Sequence, residues 1–184
     1  MQNRFNRNMV PEAKTFDQGL RKLIGRLSQS LERDTLVQQT TSYLRETLKV
    51  DRVVLYYFYR QWKGRVTFES LSDPKYSVYG ETGPDECFNG DYARMYFEGR
   101  VRAIPDIEVE PIAECHRDFL RGMNVRANLV VPVLIGNSDN SKRLWGLLVA
   151  HHCQDKKDWT EADIQAMQKG AVTLAISPAI TNLN

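Results

Sequence analysis

A chain of 184 residues with 42% apolar and 26% charged side chains can bury one core and requires no second domain. Its formal charge of +2 is close to balance and its Lys and Arg are spread along the sequence, which excludes the basic stripe of a nucleic-acid-binding protein. A polar N-terminus without a signal peptide, no apolar run near the ~18 residues of a membrane span, and three Cys without Cys-x-x-Cys spacing point to a cytosolic domain or the cytosolic region of a larger protein, with neither a disulfide framework nor a structural zinc site.

Residues 1–11 read as a flexible N-terminal segment and 12–182 as one domain. Leu20, Leu23, Ile24, Leu27 and Leu31 recur at helical spacing, and Asp34 is placed to cap a second helix with Leu36, Val37, Thr41, Leu44 and Leu48 on one side. The stretch 52–59 is β-branched and aromatic on both faces, as a central strand requires, and Lys63-Gly64 supplies a turn into a partner strand over 65–72. From Asp73 to Gly90 the text changes to Pro, Gly, Asp, Ser and Tyr, too punctuated for a regular element; long loops in compact domains are more often functional than idle.

A short helix over 91–98 follows, then a brief strand over 101–104 stopped by Pro105. The next helix spans 111–123, where Cys115, Phe119 and Met123 at spacing four share an inward face with Ile112 nearby. Strands over 128–135 and 143–152 are joined by a loop at Gly136 to Asn140, and Thr160-x-x-Asp163 opens a last helix with Ile164, Met167, Ala171 and Leu174 inward, ended by Pro178. Helices at both ends of one antiparallel sheet give an α+β sandwich.

Two thiols carry the chemistry. Cys115, in Glu114-Cys115-His116-Arg117, sits near a helix N-terminus, where the dipole favours the thiolate and His116 can relay a proton or pair with the anion. Cys87, in Asp85-Glu86-Cys87-Phe88, lies in the long loop beside carboxylates. Such a pair suits covalent capture of an electrophilic cofactor, although a free Cys is also a common buried residue, a loop Asp after Pro a common turn former, and Phe88 ordinary core. Strand alternation puts His151 and Cys153 on one face and His152 on the other; two ligands per face do not make a metal site, so no metal is expected.

Asp85-Glu86-Cys87-Phe88 fits an Asp-Xaa-Cys-Phe signature, Cys115-His116 a bilin-anchoring Cys-His, and Leu144-Trp145-Gly146-Leu147-Leu148-Val149-Ala150-His151 a Leu-Trp-Gly-Leu…Ala-His strand. In that order they resemble the chromophore-binding GAF domains of cyanobacteriochromes, bilin photoreceptors related to phytochromes, over about residues 34–174. The resemblance implies a central antiparallel sheet with the terminal helices on one face and chromophore-pocket helices and loops on the other. It also implies a thioether anchor at Cys115, a second and reversible thioether at Cys87, Asp85 holding pyrrole N–H groups, Phe88 against the ring system and His151 near ring D. Arg94 or the pair Tyr92 and Tyr96 are rival donors to the propionates, and Arg94 is otherwise a solvated cation.

The implied cofactor is phycocyanobilin or its isomer phycoviolobilin, converted by light between a blue or violet state and a green or teal one. Implied partners are effector domains of a larger signalling protein and a second copy of the chain through the terminal helices. No turnover is expected beyond lyase or isomerase action on the domain's own chromophore. Glu86, where the family often has Pro or Ser, and the charged 138–143 insertion depart from the pattern. Two rival GAF functions are a cyclic-nucleotide sensor, which needs neither thiol, and a methionine sulfoxide reductase, which uses a transient disulfide.

Overall fold

Strand alternation sorts the apolar side chains onto two faces of one sheet, and each face receives its own helices. The computed structural model describes residues 10–60, 63–83, 90–136 and 141–182, and the side chains of all of these except 10–16 and 90–93. Of the expected flexible segment, residues 1–9 lie outside the described residues. Helices α1 (Val10–Arg33) and α2 (Thr35–Leu48) are separated by Asp34 alone. Its Oδ1 accepts the N–H groups of Leu36 and Val37 at 2.9 and 3.1 Å, the N-cap expected from sequence, and its Oδ2 accepts the Ser177 hydroxyl at 2.7 Å. One carboxylate therefore both starts a helix and ties the two ends of the domain together.

Strands β1 (Arg52–Arg60) and β2 (Lys63–Leu71) are followed by helix α3 (Gly90–Phe97), β3 (Arg102–Ile104), α4 (Glu114–Gly122), β4 (Ala127–Ile135), β5 (Arg143–His152), α5 (Glu161–Leu174) and α6 (Pro178–Thr181). The sheet order is β2-β1-β5-β4-β3, antiparallel throughout, so the architecture is the expected α+β one. Val53, Leu55, Leu129, Val131, Leu148 and Ala150 pack against Leu27, Leu44, Leu48, Met167 and Leu174 of α1, α2 and α5. The alternate residues, Val54, Tyr56, Val130, Leu147 and Val149, face Tyr96 of α3 and Leu120 of α4. Among the described residues no helix is long and apolar enough to cross a membrane.

Four local expectations change. Lys63 and Gly64 lie inside β2 rather than in its turn. A Cβ on Gly64 would sit 2.3 Å from the Tyr57 carbonyl oxygen, and one on Gly146 of β5 would sit 2.1 Å from that of Tyr56, so both glycines serve close strand approach. The 73–83 stretch contains a 3-10 turn at Pro74–Tyr76, capped by Asp73, whose carboxylate accepts the Lys75 N–H at 2.9 Å. Helix α4 begins at Glu114, because Ala113 is the extended N-cap residue and 111–113 form no helical turn. Pro178 opens α6 instead of closing α5, at a position where its missing N–H has no helical partner to lose.

Ion pairs hold the β3–α4 connection. Arg126 meets Asp106 with two bonds of 2.7 and 2.8 Å, and Asp106 also accepts the Glu108 N–H at 3.0 Å. Arg117 of α4 donates to the carbonyls of Ile107 and Glu110 at 2.8 and 2.9 Å. The Arg126 bonds, then the Glu108 N–H, pull the Asp106 carboxyl from 3.8 down to about 2. A folded value below the unfolded one means its contribution is complete above pH 3.8 and is lost as pH falls toward 2. Urea unfolding should show Asp106→Asn less stable than the parent at neutral pH, with the difference closing across that window; an unchanged gap at the acid end would contradict the assignment.

Candidate functional site

The α3 and α4 face of the sheet does not close completely: a cavity of about 340 Å³ remains between sheet and helices. Its floor is apolar, from Val54, Tyr56, Val66, Val130, Leu147 and Val149, and Phe119, Leu120 and Met123 of α4 form the opposite wall. Polar groups are few. Arg100 lies over the Tyr96 ring at 6.0 Å, Arg102 pairs with Glu110 at 2.8 Å, and Asn128, His116 and His151 complete the lining. An apolar slot with a few convergent polar groups is the usual form of a small-molecule site.

Asn128 is the most telling of these. It is 3% exposed, and its Oδ1 has no hydrogen-bond partner among the described residues. A buried amide oxygen left unpaired costs about 1–3 kcal/mol unless a ligand donor or water meets it. The cavity therefore fits a largely apolar ligand that brings its own donor to Asn128 Oδ1.

The sequence-predicted residues distribute unevenly. His116 and His151 both line the cavity. Burial, then the Arg102 charge, holds His116 below its usual range, so its ring serves as a neutral proton acceptor more readily than as a cation beside a thiolate. His151 is 4% exposed and its Nδ1 accepts from Arg52 Nε at 2.9 Å; burial first and that guanidinium second push its pKa well down. His152 turns the other way, its Nδ1 3.2 Å from Asp51.

Cys115 is exposed, not inward. The reason is helical phase: the residues that face the sheet are His116, Phe119 and Leu120 of α4 and Met123 just past its end, and Cys115 lies about 90° around the helix from the middle of that group. Its place just inside the α4 N-terminus is as expected. Tyr96 is buried on the cavity wall, whereas Arg94 is exposed, faces Glu98 just past the end of α3 at 3.6 Å, and does not line the cavity. Tyr92 belongs to α3, but its side chain lies outside the described ones, and Asp85, Cys87 and Phe88 lie outside the described residues. The root of their loop is described: the Gly83 N–H donates to the Tyr56 hydroxyl at 2.8 Å.

Sequence reasoning missed Arg100, Arg102, Asn128 and Arg52. Asn128 carried a signal, since alternation from the apolar Val130 puts it on the same face in a strand otherwise apolar there. The third thiol, Cys153, is half-buried, and burial pushes it up to about 11, so it is no nucleophile at neutral pH.

A family model described as the GAF domain matches residues 32–177. An uncharacterised protein of Picosynechococcus sp. (strain ATCC 27264 / PCC 7002 / PR-6) is 47% identical over 160 residues, which is 87% of this chain and 95% of that protein. Other relatives are much longer: the 31% identical match to a putative methyl-accepting chemotaxis protein of Synechocystis sp. takes up 15% of that protein. Among solved structures, the cyanobacteriochrome receptor PixJ superposes with a TM-score of 0.71 at 30% identity, over 85% of this chain and 99% of that one. The phycocyanobilin-bound GAF domain of a cyanobacterial phytochrome gives 0.65 at 27%, over 87% and 91%. With its sheet order, its two helical layers and a family match across most of its length, the chain belongs to the GAF domain family.

Proposed function

We propose that this domain is a cyanobacteriochrome-type photoreceptor module that holds a linear tetrapyrrole through a thioether to Cys115. The observation that carries the reading is the join of an exposed cysteine, Cys115, near the α4 N-terminus to the apolar cavity through the very next residue, His116, with Asn128 Oδ1 unpaired inside. A bilin supplies visible absorption and light-driven Z/E isomerisation, together with propionates and ring N–H groups. The residues supply the rest. Cys115 adds to an ethylidene or vinyl carbon, and His116 takes or returns the proton. Arg100 and Arg102 face the acidic groups, and Asn128 and His151 face polar ring atoms.

Cys87 forms the second, reversible thioether, with Asp85 on the pyrrole N–H groups and Phe88 against the rings, giving a blue- or violet-absorbing state and a green- or teal-absorbing one. Phycocyanobilin or phycoviolobilin is the pigment. The domain, 12–182, passes its state to effector domains of a cytosolic signalling protein, with the terminal helices as contacts to them or to a second copy. The likeness to PixJ and to a phycocyanobilin-bound GAF domain supports the class of ligand.

Coexpression with bilin-synthesis enzymes should yield a coloured protein whose spectrum changes reversibly under illumination, and whose denatured polypeptide fluoresces with zinc. Colour that leaves with the solvent on unfolding sinks the covalent anchor. Cys87→Ser should keep the attachment and lose the short-wavelength band; a band that persists removes the second bond. A cyclic-nucleotide sensor would stay colourless throughout.

A further inference from the structure

Arg52 opens β1 and is 1% exposed, yet it is not part of the cavity lining. Its guanidinium reaches three neutral acceptors: His151 Nδ1 at 2.9 Å, the Tyr76 carbonyl at 2.8 Å and the Met123 carbonyl at 2.7 Å. Among the described residues no carboxylate lies within ion-pair reach of it. An apolar side chain would fill that space without stripping water from a cation, so the guanidinium is kept for what it holds. The Met123 carbonyl ends α4, the negative pole of the helix that begins beside Cys115, which partly compensates the charge.

A guanidinium has donors and no acceptor, so the imidazole nitrogen facing Arg52 is bare and the ring proton lies on Nε2. Strand register reinforces the arrangement, because His151 pairs with Arg52 on one side and with Asn128 on the other. We propose that Arg52 is a positioning residue for ligand recognition: it fixes His151 as the neutral Nε2–H tautomer, so that this point of the cavity wall is a hydrogen-bond donor and selects an oxygen acceptor on the ligand. One strand across, Asn128 Oδ1 offers the opposite polarity. The tautomer stands on the protein alone; its use in selecting a bilin oxygen rests on the function proposed above.

Charged and titratable groups bear on His151 from each side. Arg52 contacts it from β1, and His116 of α4 and Arg102 of β3 share its cavity. Asp51 and Glu69 bear on the charge of Arg52. Burial and the nearest cation oppose protonation, so the tautomer holds through the pH range in which an ordinary histidine titrates.

Long-range proton–nitrogen correlation spectra of the ligand-free chain with labelled histidine test this, with the His151 signals assigned by their loss in His151→Gln. The expected wild-type pattern is a bare Nδ1 and a protonated Nε2, constant across that pH range. A protonated Nδ1 or a charged ring overturns the proposal without any further variant. Arg52→Met should give mixed tautomers and a ring that titrates, and Arg52→Lys, which keeps a donor, should restore the single form; an unmoved pattern in Arg52→Met refutes it equally. In the bilin-loaded protein Arg52→Met should shift the absorption band while zinc fluorescence persists, and an unshifted band refutes the recognition role. A colourless wild type overturns the bilin reading, and the tautomer result stands.

Discussion

Cys115→Ala, coexpressed with bilin-synthesis enzymes, should lose zinc-enhanced fluorescence of the denatured polypeptide down to background, while Cys153→Ser should remain at the parental level. The contrast follows from the different surroundings of Cys115 and Cys153. Cys115 is exposed just inside the N-terminus of α4 and is followed by a histidine that faces the cavity. Cys153 is half-buried and pushed up to about 11, chiefly by that burial, leaving it protonated at neutral pH. Covalent label retained in Cys115→Ala would move the anchor to another thiol and undo the mechanism.

Leu148→Ala should lower stability by about 2–5 kcal/mol, the range for a fully buried leucine that leaves a cavity. Leu148 is fully buried on the central strand β5, flanked by Leu55 of β1 and Val131 of β4, each at 0% exposure, under the α2 and α5 layer. For a chain of this length that loss corresponds to a melting temperature lower by roughly 4–20 °C. The change lies on the face opposite the cavity, so the photocycle colours should be retained in whatever fraction stays folded. A melting temperature within a degree of the parent, or an altered spectrum, would show that the two cores are not separate.

Much of this was legible in the sequence because it depends on local pattern. The strands were marked by β-branched runs, α2 and α5 by Asp34 and Thr160 at their caps, and His151 by alternation, since a period of two does not drift. Helix α4 shows the limit of the method. A spacing of four drifts by about 40° per step around an α-helix, so Phe119 and Met123 of the expected stripe face the cavity while Cys115, at its start, lies off the cavity lining and His116 faces in instead. Arg94, weighed between a ligand donor and a solvated cation, lies exposed beside Glu98 just past α3.

The row Arg52, His151 and Asn128 was out of reach, because it joins β1 to the β4–β5 hairpin far along the sequence, in a register no local pattern reveals. Gly64 read as a turn because glycine carries the same letter for a tight turn and for a tight strand contact; only the distance to the Tyr57 carbonyl separates the two.

Gly64 and Gly146 together grip β1 around Tyr56, with neighbouring backbone so near on both sides that even a methyl group would collide. A strand clasped in this way has no lateral slack. Pressure on Val54 and Tyr56 from the cavity side is not absorbed by spreading of the strands and passes to Val53 and Leu55, which bear on the terminal helices. The sheet then acts as a stiff bulkhead, turning a small displacement inside the binding chamber into force on the outer layer.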